Sequence, residues 1–142
     1  MSDLPLLFLG LCEKAGYLVV GEELCLAAAR SGKASLILSA CDAAPNSVRR
    51  AENVTGFGTA RITLPYTKEK LGSILGHGTP GILVITDYGM AATFTAKLAL
   101  EDSENYGDIS SDMRSEYEKR RKRVIEQKKH DKNRKTNRKK SK

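Results

Sequence analysis

The stretch that most constrains the fold lies between residues 17 and 39, where strand-forming and helix-forming segments alternate. Residues 17–20 form a short aromatic and β-branched run, residues 22–30 favour a helix, and residues 36–39 form a second apolar run. Two strands joined by a crossover helix make a βαβ unit, which is right-handed by strong default. Gly21 separates the first strand from the helix. The backbone N–H groups of that turn are free to meet a ligand, so it is the first candidate site.

The first segment, residues 4–12, is the longest apolar run near the start of the chain. It resembles a signal-peptide core, but Asp3 stands where a basic region is expected and no small-residue cleavage site follows. An amphipathic helix is the better interpretation. Its apolar residues fall on one face at helical spacing, and they are Leu4, Leu7, Phe8 and Leu11. No run approaches the roughly 20 apolar residues that a membrane span requires.

Helices and strands continue to alternate in the rest of the first 100 residues. The predicted elements are helices at 45–54, 68–75 and 87–100 and strands at 61–64 and 81–86. Thr67 is expected to cap the second of these helices, and Asp42 and Asp87 are each expected to cap the helix that follows them. The last strand is nearly continuous in apolar residues, which predicts burial on both faces. The pattern therefore predicts an α/β sandwich around a sheet of about four strands.

Charge divides the chain into three parts. Residues 1–100, the predicted domain, carry nine Lys or Arg against eight Asp or Glu. Residues 101–118 carry one Lys or Arg against seven Asp or Glu. Residues 119–142 carry fourteen Lys or Arg against two Asp or Glu. Residues 101–111 are interpreted as a flexible acidic linker, with a marginal helix starting at Ser111 or Asp112 and largely disordered chain beyond about residue 128. Such a basic tail is typical of nucleic-acid binding, although a solubilising tail is the alternative.

Several classes of protein are disfavoured by what the sequence contains. Cys12, Cys25 and Cys41 form no C-x-x-C pair, so we expect reduced, buried thiols in a cytoplasmic protein and no zinc site. His77 and His130 lack companions for a metal site or a triad. No paired carboxylates, catalytic triad or phosphate loop stands out, so we expect neither an enzyme nor a cofactor.

Several spaced motifs carry a resemblance to a known family. They are Lys14-Ala15-Gly16, Val19-Val20-Gly21, Arg30-Ser31-Gly32-Lys33-Ala34, Leu36-Ile37-Leu38 and Leu71-Gly72-x-x-Leu75-Gly76. Their order over residues 4–100 resembles the kink-turn RNA-binding ribosomal-protein family. Gly21-Glu22-Glu23-Leu24 and Asp42-Ala43-Ala44-Pro45-Asn46 resemble its bacterial YlxQ-like branch. The resemblance implies a three-layer α/β/α fold with a mixed sheet that clamps sharply bent RNA without catalysis.

The resemblance also implies where RNA binds. The family pattern Gly-x-Asn-Glu-x-x-Lys falls on Gly21, Glu22, Glu23, Leu24 and Ala27, so only the glycine is retained. A carboxylate at the asparagine position accepts hydrogen bonds but cannot donate to guanine O6 or N7, and it repels phosphate. These departures predict weakened kink-turn binding, and two acidic residues at a helix start also stabilise the helix without any ligand. The remaining candidate RNA-binding residues are Lys14, Arg30, His77, Thr79, Pro80 and Gly81.

The sequence therefore predicts a monomeric, cytoplasmic RNA-binding protein. Its expected ligand is structured RNA, either kink-turn-like or ribosomal, with ribosomal particles as a further partner and the basic tail adding phosphate contacts. The alternative is a ribosome- or translation-associated adaptor that has kept the fold and lost kink-turn recognition.

Overall fold

The computed structural model describes residues 1–55, 58–76 and 78–140, with side chains as far as residue 133. The elements are α1 (Leu4–Lys14), β1 (Leu18–Val20), α2 (Glu22–Arg30), β2 (Leu36–Ser39), α3 (Pro45–Val54), β3 (Ala60–Thr63), α4 (Lys68–Leu75), β4 (Ile82–Ile85), α5 (Tyr88–Glu101) and α6 (Ser103–Lys140). Up to Glu101 these bounds agree closely with the sequence prediction.

The four strands form one mixed sheet in the order β1-β4-β2-β3. β4 runs antiparallel to both of its neighbours, and β2 pairs with β3 in parallel. β1 and β2 therefore point the same way, as a βαβ unit requires, but β4 is inserted between them. The predicted unit is thus split, because local sequence pattern carries no information about which strands become neighbours.

Helices cover both faces of the sheet. Leu36 and Leu38 of β2 pack into a core that includes residues of α1, α4 and α5, whereas Ile37 packs on the other face with residues of α2 and α3. All four residues of β4 are buried, as predicted for a strand covered on both faces. The three-layer α/β/α sandwich with a mixed four-stranded sheet is therefore confirmed.

α1 forms where the sequence predicts it, but it turns a different face to the core. Leu6, Leu9 and Cys12 are fully buried. The face identified from the apolar spacing is largely open to solvent, since Leu4 is 66% and Leu7 is 54% exposed. This helix is apolar on nearly every side, so spacing alone does not determine which stripe is buried.

The interpretation of residues 101–111 as a flexible linker is wrong, because α6 begins at Ser103. Tyr106 is buried, and its hydroxyl donates a hydrogen bond to the carbonyl oxygen of Thr63 at 2.7 Å. Met113 is also buried. These residues belong to an apolar stripe at helical spacing that the acidic, Ser- and Gly-containing composition concealed.

α6 also continues to Lys140, instead of giving way to a disordered chain near residue 128. Two ion pairs lie along α6, since Nε of Arg120 donates to Glu116 at 3.1 Å and Nε of Arg114 donates to Glu118 at 3.4 Å. Although α6 is long, no helix in the described ranges is apolar enough to cross a membrane.

Two of the three capping predictions are confirmed. The hydroxyl of Thr67 accepts from the backbone of Lys70 at 3.1 Å, and the carboxylate of Asp87 accepts from the backbone of Met90 at 2.9 Å. Asp42 instead accepts from the backbone N–H of Lys68 at 2.7 Å, so it supports α4 and not the helix that follows it in sequence.

The cysteines are all free thiols. Cys12 and Cys25 are buried as predicted, but Cys41 is exposed because it follows β2 at the rim of the sheet. Among the described residues, no group of three or more His, Cys, Asp or Glu side chains is arranged to hold a metal ion.

Candidate nucleic-acid interface

Two of the segments expected to bind RNA meet at one edge of the sheet. Because β4 runs antiparallel to β1, Val20 at the end of β1 pairs with Leu83 near the start of β4. Gly21 follows directly, and the carbonyl oxygen of Gly81 accepts a hydrogen bond from the backbone N–H of Ala40 at 2.9 Å. We name this rim the Gly21 edge, and it comprises residues 21–24, 40–46 and 78–81.

Gly21 is required by the turn that starts α2. Its backbone has φ 112° and ψ 132°, a conformation that residues with a side chain rarely adopt. A Cβ atom at this position would meet nothing within 4 Å, so the constraint comes from the backbone and not from close packing. The N–H of Cys25 then donates to the carbonyl oxygen of Gly21 at 2.9 Å and closes the first turn of α2.

The two glutamates after Gly21 bind an arginine from α3. Nη1 of Arg50 donates to Oε2 of Glu22 at 2.8 Å, and Nη2 donates to Oε1 of Glu23 at 2.6 Å. The hydrogen bond that Arg50 donates to Glu23 and the charges of both carboxylates raise the pKa of Arg50 above its ordinary value. The Arg50 guanidinium is therefore paired with two carboxylates, and it joins the start of α2 to α3.

This arrangement changes what the Gly21 edge offers to a ligand. The side chain of Glu23 is 75% exposed, so its carboxylate still faces solvent while it binds Arg50. Leu24 is 65% exposed and Ala27 is exposed, so neither supplies a charge. The start of α2 thus presents two carboxylates paired with the Arg50 guanidinium, next to a small apolar surface.

The loop before β4 supplies the other half of the Gly21 edge. Thr79 is exposed, and Pro80 and Gly81 are half-buried. A Cβ atom on Gly81 would lie 3.5 Å from the Lys68 side chain and 3.6 Å from that of Ala43, so this backbone runs close to its neighbours. His77 lies outside the described residues.

Lys14 and Arg30 lie at the opposite edge of the sheet. Lys14 ends α1 just before β1, and Arg30 ends α2 just before the loop to β2. There the backbone N–H of Thr86 donates to the carbonyl oxygen of Tyr17 at 2.9 Å, and the Ser35 hydroxyl donates to that of Asp87 at 3.2 Å. We name this rim the Tyr88 edge, and it comprises residues 14–17, 30–35 and 86–89. The structure therefore does not bring Lys14 and Arg30 together with Gly21.

α6 meets the Tyr88 edge through a contact that the sequence interpretation missed. The guanidinium carbon of Arg120 lies 3.9 Å from the centre of the Tyr88 ring, and Nη2 donates to the Tyr88 hydroxyl at 3.2 Å. Nε of Arg120 is held by Glu116 at 3.1 Å. Nothing in the local sequence around Tyr88 indicates this partner, which lies far along the chain.

A cleft of about 430 Å³ opens beside this contact, between α6 and the Tyr88 edge. Its lining includes Tyr88, Tyr117, Arg121, Val124, Ile125 and Lys128. Cationic, aromatic and aliphatic groups therefore share one concave surface, on the opposite side of the molecule from Gly21.

Comparison with known proteins agrees with the fold. No protein-family model matches the sequence, and no curated protein matches it either. A solved structure of a protein of unknown function from Bacillus halodurans C is similar with a TM-score of 0.61 and 22% identity, covering 67% of this chain and 96% of that one. The 15.5kD RNA binding protein of Giardia lamblia is similar with a TM-score of 0.53 and 17% identity, covering 68% and 82%. The chain thus shares the α/β/α fold of these proteins.

Proposed function

We propose that this protein is a non-catalytic RNA-binding protein of the kink-turn type, similar to the YlxQ-like branch, that recognises structured or ribosomal RNA in the cytoplasm as a monomer. The observation that carries the proposal is the fold, which is shared with an RNA-binding protein from Giardia lamblia. The family motifs in the sequence support it, since Gly21 and residues 79–81 meet at one edge of the sheet.

The basic segment of residues 119–142 adds phosphate contacts in this proposal. Between residues 119 and 142, fourteen Lys or Arg stand against two Asp or Glu. Contacts from cations to phosphates release condensed counterions and make binding strongly dependent on salt. Because α6 is anchored through Tyr106 and Met113, these charges start from a fixed position on the domain.

Binding titrations with a labelled kink-turn RNA and a straight duplex of equal length test this function. We expect the kink-turn RNA to bind more tightly, and the preference to persist after residues 119–142 are removed, because shape recognition belongs to the α/β/α domain. Equal binding of both RNAs by the shortened protein would contradict kink-turn recognition.

One observation favours the adaptor alternative. The Gly21 edge uses Glu22 and Glu23 to bind its own Arg50, and Leu24 beside them is 65% exposed, a combination better suited to a protein partner than to phosphate. Sedimentation with ribosomal particles before and after nuclease treatment separates the two functions. Loss of the association after nuclease supports RNA binding, whereas a protein complex that survives nuclease supports the adaptor.

A further inference from the structure

The stripe of α6 that faces the domain changes its chemistry along the helix. Tyr106, Met113 and Tyr117 lie on this stripe, and they are buried or half-buried against the domain. Arg121 and Lys128 continue the stripe at helical spacing and line the cleft beside Tyr88. The stripe therefore becomes cationic at the point where α6 passes the Tyr88 edge and has no further core to cover.

The domain side of the same region is also basic and has an exposed aromatic ring. Lys14, Arg30 and Lys33 are all exposed on the Tyr88 edge, and Tyr17 there is 40% exposed. Asp87 is an acidic residue in the cleft wall, and its carboxylate accepts the capping hydrogen bond from Met90 at 2.9 Å. The α6 side of the cleft and the domain rim next to it are thus both basic.

We propose that the cleft and the Tyr88 edge together form a binding surface for single-stranded RNA, separate from the Gly21 edge. The inference rests on the proposed function only in taking RNA as the ligand. Surfaces that bind single strands combine cations that follow the backbone with aromatic or apolar groups that accept exposed base faces. Both kinds of group line the cleft, and the Tyr88 edge adds exposed cations and the ring of Tyr17.

The apolar part of the surface selects a single strand over a duplex. Val124 is 54% and Ile125 is 45% exposed, although both are strongly apolar, and Tyr17 on the Tyr88 edge is 40% exposed. In a duplex the base faces are stacked on one another and only the edges and the phosphates reach the protein. Unpaired bases, by contrast, can cover these side chains while the phosphates lie against Arg121 and Lys128.

Charge reversal with a matched control tests the α6 side. We expect Arg121→Glu combined with Lys128→Glu in the full chain to weaken binding of a labelled oligouridine of about 12 nucleotides by about tenfold or more. The control is Lys119→Glu combined with Lys122→Glu, which changes the net charge equally at exposed positions on the same helix. We expect the control to weaken binding by less than about threefold. Equal losses in the two variants would overturn the proposal, because they would indicate general attraction to a basic helix.

Substitutions on the domain side test whether the surface is shared. We expect Lys14→Glu combined with Lys33→Glu to weaken oligouridine binding several-fold, and Tyr17→Ala to do the same while Tyr17→Phe retains affinity, since a stacking contact needs only the ring. Thermal unfolding verifies that each variant is folded. A loss confined to the α6 variants would overturn the proposal that the two sides act as one surface.

The kink-turn titration keeps this inference distinct from the proposed function. Binding of oligouridine that depends on Arg121 and Tyr17, in a protein that shows no preference for kink-turn RNA, would support the second surface and reject the first function. Preferential binding of kink-turn RNA without binding of oligouridine would support the proposed function and reject the second surface.

Discussion

The two edges of the sheet use their charges in opposite ways. At the Gly21 edge, Arg50 is bound by two carboxylates at 2.8 and 2.6 Å, so its charge is neutralised within the protein. In the cleft beside the Tyr88 edge, no ion pair in the described part of the chain involves Arg121 or Lys128 of α6. The number of cations on a surface is thus less informative than whether the protein already pairs them. The following predictions test this contrast.

The largest effect is expected when the basic segment of residues 119–142 is removed. If about six of its cations contact phosphates, the logarithm of the RNA association constant should fall with the logarithm of salt concentration at a slope near −4 to −5. Deleting residues 119–142 should weaken binding by roughly a thousandfold at low salt and flatten that slope. Titrations at several salt concentrations measure both quantities, and an unchanged slope would show that the bound phosphates lie elsewhere.

The next effect concerns the attachment that holds α6 to the domain. Met113 is only 6% exposed, and we expect Met113→Ala to lower the free energy of unfolding by roughly 2–4 kcal/mol through lost burial and a residual cavity. Urea denaturation measures this change. Val124→Ala is the control on the same helix, because Val124 is 54% exposed and should have little effect. Similar small changes in both variants would mean that α6 is not docked.

A smaller effect is expected when the Gly21 edge is returned to the family pattern. Glu23→Asn combined with Ala27→Lys removes one carboxylate, adds a cation four residues away on the same helix face and leaves Arg50 with only Glu22 as its partner. In protein lacking residues 119–142, we expect kink-turn RNA to bind more tightly by roughly 1–3 kcal/mol. Unchanged affinity would indicate that the edge has been remodelled for another partner, which favours the adaptor.

The smallest effect is a loss of stability at alkaline pH, caused by the buried thiols of Cys12 and Cys25. Burial, with the nearby Glu22, raises the pKa of Cys25 to about 12, and burial, with Asp87, raises that of Cys12 to about 11, against an ordinary value of 9.0. Above pH 9 the unfolded chain releases these protons while the folded protein retains them, so stability should fall as pH rises and stay level below.

Urea midpoints measured at about pH 8 and about pH 10 examine this loss. We expect the decrease to be smaller when Cys25 is replaced by Ala, because one of the raised thiols is then absent. A decrease of the same size in both proteins would assign the pH dependence to the buried tyrosines, since the pKa of Tyr106 is also raised by burial.

Elements defined by local chemistry were predictable from the sequence. The apolar run of β4, the Thr67 cap and the glycine turn at Gly21 each depend on residues a few positions apart, and each is present as expected. The buried face of α1 was not predictable, because the helix is apolar on nearly every side and the sheet decides which stripe is covered.

Parts of the candidate site depend on contacts between distant segments, and these escaped prediction. Arg50 of α3 donates to Glu23 of α2, 27 residues earlier in the chain. Arg120 of α6 donates to the Tyr88 hydroxyl, 32 residues earlier. Composition also concealed the start of α6. The acidic residues around Tyr106 suggest a linker, whereas the Tyr106 side chain is buried. The apolar spacing of Tyr106, Met113 and Tyr117 was the available indication of this docked helix.

The insertion of β4 between β1 and β2 has a consequence for how the chain folds during synthesis. Among the described residues β1 pairs only with β4, and Val20 lies opposite Leu83. A nascent chain that ends before residue 82 therefore has its first strand without a neighbour, and the ribosome must release the last strand before the sheet can close. Pairing between such distant segments slows folding, because chain entropy is lost before native contacts compensate for it. The apolar residues of β1 thus stay without their strand partner until β4 has been synthesised.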